Sequence, residues 1–165
     1  HSVCTDAIKR ITGAMQLHGV KRVVMVGNVG LLPHPEYPDR FLGEAGLPPF
    51  LEFVFADQRN ALKTLQASGL DWVMLCPPFM PAGKATGTYR VAVESALPDA
   101  QSISVEDVVH FLLKEVFEPR HHQVRIALAD PPAVVDPAAP RKAAQGPAGT
   151  VSVASLAGGM GRFRR

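Results

Sequence analysis

Apolar residues recur at helical spacing along "SVCTDAIKRITGAMQLH", residues 2–18, with Val3, Ala7, Ile11, Ala14, Met15 and Leu17 near one face. Ser2 is placed to cap this helix, and Gly19 to end it as a C′ glycine. "KRVVMV" (21–26) is then apolar at successive positions, which predicts a buried strand of a parallel sheet. Residues 33–49 carry five prolines and predict a loop or lid. "FLEFVFADQRNALKTLQAS" (50–68) reads as a long helix ended by Gly69, and "DWVMLC" (71–76) as a second buried strand halted by Pro77-Pro78. "TYRVAVE" (88–94) alternates like an edge strand. "SVEDVVHFLLKEVF" (104–117) opens with a Ser104 cap and acids in its first turn, and "HQVRIALA" (122–129) supplies a last strand. Helix, strand, helix, strand, strand, helix, strand predicts an α/β layer fold with parallel central strands.

Beyond residue 129 the pattern dissolves into Pro, Ala and Gly without periodicity. We therefore divide the chain into a folded part, 1–129, and a tail, 130–165, expected to be disordered. The tail is net positive, with Arg141, Lys142, Arg162, Arg164 and Arg165 against Asp130 and Asp136. Residues 1–129 hold 12 basic and 13 acidic residues, and the whole chain is +2. The folded part thus lacks the basic excess that a phosphate backbone selects, so no nucleic-acid partner is expected. Cys4 and Cys76 stand too far apart for a metal or disulfide spacing, the scattered histidines offer no metal site, and reduced thiols suggest a cytoplasmic setting. No apolar run reaches the roughly 20 residues of a membrane span, and none resembles a signal peptide. Because the chain opens on His1, its true start is expected to lie further upstream.

"VVMVGNVGLL" (23–32) raises the question of a nucleotide-binding turn. A phosphate-cradling glycine loop works by presenting the free N–H groups of a following helix. Here Gly30 is followed by Pro33, Pro35 and Pro38, which cannot form the first turns of a helix. The stretch reads instead as the carboxyl end of a middle strand. In open parallel sheets ligands lie beyond such ends. The two ends, "VGNVG" and "CPPFMPAG", make a candidate shelf for a flat ring, and a plain strand-to-loop transition is the equal alternative. Trp72 and Phe50, Phe53 and Phe55 read as packing residues, and Lys63 and Lys84 as solvated.

"A-M-x-x-H-G-V-x-x-V-V" (Ala14–Val24), Leu31-Leu32, "K-x-L-x-x-S-G-L-x-x-V" (Lys63–Val73), Pro77-Pro78, "T-G-x-Y" (Thr86–Tyr89) and "I-S-x-x-D" with His110-Phe111 occur in that order. In this order and spacing the chain resembles the atypical short-chain dehydrogenase/reductases with NAD(P)H-binding, NmrA-like domains, nearest to the flavin reductase/biliverdin-IXβ reductase branch. The resemblance implies a Rossmann-like parallel sheet with flanking helices, present as its second half. The glycine-rich loop and the residues that choose between NADP and NAD would lie upstream. It further implies a reductase of flat acceptors (flavin, quinone or tetrapyrrole-like), with Gly27, Asn28, Val29, Pro77, Pro78, Phe79 and Met80 against the cofactor and acceptor rings. A non-catalytic NAD(P)-sensing or protein-interaction relative is the alternative. Gly27-Asn28 stand where the branch has Thr-Ser, and Phe79 where it has His, so no side chain there exchanges protons near neutral pH. Asn28 is left as a candidate for positioning only. Half a parallel sheet would also leave an open edge at "KRVVMV", through which self-association is expected.

Overall fold

The computed structural model describes residues 2–44 and 49–132, so the tail from 133 onward lies outside it, as do residues 45–48 of the expected loop. In chain order the elements are α1 (Val3–Leu17), β1 (Arg22–Val26), two 3-10 turns (Val29–Leu31 and Leu42–Glu44), α2 (Pro49–Gln66), β2 (Asp71–Cys76), β3 (Arg90–Val93), α3 (Val105–Phe117) and β4 (Val124–Ala129). The sheet order is β1-β2-β4-β3. The first three strands in that order are parallel, and β3 runs antiparallel on the far edge.

α1 and α2 cover one face of the sheet, where Ile8, Leu62, Leu65, Trp72, Met74 and Cys76 form a buried cluster. α3 covers the other face with Val108 and Phe111 against Val73, Leu75, Ile126 and Leu128. β2 is interior and nearly every residue of it is buried, as its sequence predicts. β1 has the same composition but is only half-buried, because it is a border strand. Gly27 N–H donates to Leu75 O. With a two-residue period, the amides of Val24 and Val26 face away from β2, toward no strand partner among the described residues.

The face of α1 differs from the expected one. Thr5, Ile8 and Thr12 are buried, whereas Val3, Ile11 and Leu17 are exposed. The reason is a long-range cap. Asp57 on α2 accepts hydrogen bonds from the backbone N–H of Cys4 (2.8 Å) and Thr5 (3.0 Å) and from the Thr5 hydroxyl (2.6 Å). A carboxylate at a helix N-terminus satisfies donors that have no partner within the helix. It also turns the Thr5–Ile8–Thr12 face onto α2. Ser2 occupies the cap position but donates its hydroxyl to Asp6 instead. Gly19 ends the helix as expected, at φ +69°, with Val20 N–H reaching back to Met15 O. Phe55 packs inward, while Phe53 lies exposed on the other side of α2.

Two buried carboxylates tie α3 to the rest. Glu115, near its end, pairs with Arg22 (3.0 Å) and lies 2.7 Å from His121 Nδ1. Arg22 also meets Asp71 at 2.6 Å, which joins β1, β2 and α3 in one charge network. At the other end of the helix Asp107, wholly buried, accepts from the N–H groups of Thr86 (2.9 Å) and Gly87 (2.8 Å) and from the hydroxyls of Thr86 and Ser104 (3.0 Å each). The Ser104 cap itself is as expected, accepting from Asp107 N–H.

Burial raises the carboxyls of Glu115, Asp71 and Asp107, but their hydrogen bonds outweigh it and hold all three below the ordinary carboxylate range. Those bonds come from His121 and Arg120 for Glu115, from Arg22 and His122 for Asp71, and from Gly87, Thr86 and Ser104 for Asp107. A carboxylate whose folded value is depressed stabilises the fold in full above its unfolded value near 4, and that contribution disappears as pH falls through the folded value. The thermal unfolding midpoint should therefore be flat above about pH 5 and fall steadily below about pH 4. Scanning calorimetry across that range checks it, and a midpoint unchanged down to about pH 3 contradicts it.

Candidate functional site

The candidate site is built on the carboxyl ends of β1 and β2. Their pairing continues past the strands: Gly27 N–H donates to Leu75 O (2.7 Å) and Val29 N–H to Pro77 O (2.9 Å). This holds the turn Gly27-Asn28-Val29 beside Pro77-Pro78. Gly27 leaves room for the interior, since a Cβ there would come within 2.9 Å of Leu31 Cδ1 and 3.0 Å of Met74 Sδ and would have to displace those buried side chains. Its smallness thus serves the interior of the protein. The chain then makes one 3-10 turn and no α-helix, in keeping with the prolines that follow. Gly30 and Gly43 cross in close contact beneath Phe55, and Pro33 bridges to Phe41, so the proline-rich segment folds back over the sheet.

Asn28 caps the 3-10 turn. Its Oδ1 accepts from Gly30 N–H (2.8 Å), and its Nδ2 donates to Oε1 of Gln58 on α2. The residue expected to position a ligand therefore already has both ends of its amide engaged. Gln58 is a site residue that the sequence reading missed. Its signal was a polar residue on a helix face whose neighbours at i−4 and i−7, Val54 and Leu51, are apolar and exposed.

On the β2 side Pro77 is buried and Pro78 half-buried, and the chain then surfaces. Phe79 is 73% exposed and Met80 38%. Phe79 is nonetheless fixed in place: its carbonyl accepts from Ile103 N–H (3.1 Å), in a parallel bridge with Ser102. Two residues on, Pro81 O accepts from Val105 N–H (3.1 Å). The Asp107 hydrogen bonds pin the following turn at Thr86-Gly87. An aromatic ring and a thioether are thus held in the open by backbone bonds. Beneath them Cys76 is buried, and burial pushes its thiol up to about 12, which leaves it a packing residue and no nucleophile near neutral pH.

A cleft of about 440 Å³ opens elsewhere, between Pro33, His34 and Pro38 and the β3–β4 border at Glu94, Ser95 and Arg125. Arg125 is occupied: it bonds Glu94, donates to Leu31 O (2.9 Å), and lies 5.8 Å from the Phe41 ring centroid. That cleft contains none of the seven residues singled out from the sequence. Among the described residues no three His, Cys, Asp or Glu side chains group as metal ligands, and no helix is long and apolar enough to cross a membrane.

Residues 1–119 match the model of a family described as NAD(P)H-binding. The chain belongs to that family. Over 124 residues it is 28% identical to YwnB of Bacillus subtilis (strain 168), an uncharacterized protein, covering 65% of this chain and 54% of the relative. The chain therefore spans about half the length of that curated relative. A Burkholderia pseudomallei protein, provisionally named as exported, is similar in structure with a TM-score of 0.69 and 27% identity, covering 78% of this chain and 64% of the other. A Streptococcus pneumoniae TIGR4 protein, provisionally named an NADH-flavin reductase, gives a TM-score of 0.62 at 24% identity, with 77% and 67% covered. The architecture is Rossmann-like.

In an open parallel sheet the ligand crevice lies at the carboxyl ends of the strands, which is where this chain carries Asn28, Phe79 and Met80, with Gln58 of α2 bonded to Asn28. Two exposed apolar groups and two neutral amides could face the ring end of a dinucleotide. They do not fit its pyrophosphate. Among the described residues no strand leads through a glycine turn into the N-terminus of an α-helix.

Gly30 decides whether the turn keeps its shape. A Cβ at this position would lie 2.8 Å from Asn28 Oδ1, 3.2 Å from Phe55 Cε2 and 3.3 Å from Gly43 Cα. Gly30→Ala should destabilise the fold by about 1–3 kcal/mol through overpacking. Gly13→Ala, inside α1 with nothing within 4 Å of the new Cβ, should instead stabilise it by about 0.5–1 kcal/mol. Urea unfolding of both variants checks the pair, and a Gly30→Ala protein as stable as the parent contradicts the packing described.

Proposed function

We propose that the chain supplies the ring-binding part of an NAD(P)H-dependent reductase whose acceptor is a flat, electron-poor ring: a flavin, a quinone or a tetrapyrrole. One observation carries this reading. The ends of β1 and β2 are joined by the Val29 N–H to Pro77 O bond; one runs on into the exposed aromatic ring and thioether of Phe79 and Met80, and the other into a turn whose Asn28 amide bonds that of Gln58 on α2. The family match supports the cofactor class, and the NADH-flavin reductase name of the Streptococcus pneumoniae neighbour points the same way.

Bound nicotinamide would supply a hydride; with one proton taken from water, the acceptor ring gains two electrons and the cofactor leaves oxidised. The side chains of this chain shape what can accept. Phe79 and Met80 offer a flat apolar surface, and the amides can donate hydrogen bonds without giving up a proton. A carbonyl becoming an alkoxide needs a nearby acid, which contributes about 10²–10⁴-fold in rate. A flavin or quinone spreads the incoming charge over its ring and tolerates the lack of one.

The test joins the amino-terminal part of the Bacillus subtilis relative to residue 1 and follows oxidation of NADH and of NADPH. Flavin mononucleotide and a naphthoquinone should exceed benzaldehyde and cyclohexanone in kcat/KM by about 10² or more. Efficient ketone reduction with no flavin or quinone turnover contradicts the proposal. Tight cofactor binding with no acceptor reduced would favour the non-catalytic sensing role.

A further inference from the structure

We infer that Gln58 is the specificity-determining residue of the shelf, presenting a hydrogen-bond donor to a ring carbonyl oxygen of the acceptor. The inference rests on the ring-binding reading above and adds to it the polarity of one contact. The backbone N–H of Gly30 can only donate, so the Asn28 atom facing it at 2.8 Å must be Oδ1. The other end of the Asn28 amide is then Nδ2, which can only donate as well. The Gln58 atom that it meets must be Oε1. Each amide sets the orientation of the next, and the chain ends on Gln58 Nε2.

That NH₂ has no hydrogen-bond partner among the described residues. Gln58 is half-buried, one turn of helix beyond Val54, with Leu51 on the same face. Val54 and Leu51 are both exposed, so Gln58 stands at the end of an exposed apolar strip of α2. A site of this composition selects against hydrocarbons, which would leave the donor unsatisfied. It suits a flat ring that carries a carbonyl oxygen at its edge. As such a ring takes up electrons, negative charge accumulates on that oxygen and the bond from Gln58 strengthens.

The experiment compares two probes of nearly equal shape, a dimethylated naphthoquinone and the corresponding dimethylnaphthalene, by ligand-observed NMR on the full 165-residue chain. Three proteins are used: the parent, Gln58→Leu, and Gln58→Glu, which keeps the size and the acceptor for Asn28 while removing the outward donor. The parent should prefer the quinone. Both variants should bind it about five- to tenfold more weakly, as expected for one lost hydrogen bond, and should bind the naphthalene as before. Equal binding of the two probes by the parent overturns the inference and leaves the shelf standing, as does a quinone preference that survives in Gln58→Glu. Binding of neither probe by the parent removes the ring-binding reading itself, and the role of Gln58 with it.

Discussion

The hydrogen bond from Val29 N–H to Pro77 O is the constraint on which the site depends. Parallel strands normally diverge once their ladders end, and their loops go separate ways. Here the pairing of β1 with β2 runs on past Val26 through Gly27 and Val29. The two turns are thereby held side by side at the end of the sheet. Everything proposed about ring binding uses that adjacency: the amides come from one turn and its helix neighbour, and the exposed Phe79 and Met80 from the other. The small size of Gly27 allows it, because Leu31 and Met74 occupy the space where a side chain would go.

A comparable constraint acts at the base of α3. Asp107 is a buried charge, costly unless it is fully hydrogen-bonded. It accepts from two backbone N–H groups and two hydroxyls, and these belong to the turn at Thr86-Gly87 and to the Ser104 cap. One carboxylate therefore joins the start of α3 to the segment that follows Phe79 and Met80. At the far end of the helix Glu115 does the same for β1 through Arg22. Both ends of α3 are thus fixed by ionised side chains that lie outside the proposed site.

The elements were largely legible because their signals are local. β2 is an unbroken apolar run stopped by two prolines, and α3 announces itself by Ser104 and the acids that follow; both stand where the pattern places them. The prolines after Gly30 predicted that no α-helix starts there, and a single 3-10 turn stands in that place. What the sequence hid is long-range. The face of α1 is chosen by Asp57, which lies 53 positions from Cys4 and 52 from Thr5, and no periodicity within residues 2–18 reveals it. β1 reads as interior from its valines, yet its burial depends on which strands flank it. Gln58 carries no motif at all. Its meaning arises only when α2 is laid against the end of β1 and its amide meets that of Asn28.

Rings are proposed to bind where β1 and β2 end and not in the cleft beside β3. Titrating the nitrogen-labelled 165-residue chain with riboflavin and mapping amide shifts by NMR tests this most directly. The account predicts shifts confined to Asn28, Val29, Phe79, Met80 and the side-chain amide of Gln58. Shifts clustered at His34, Glu94, Ser95 and Arg125, with the strand ends unmoved, would contradict it.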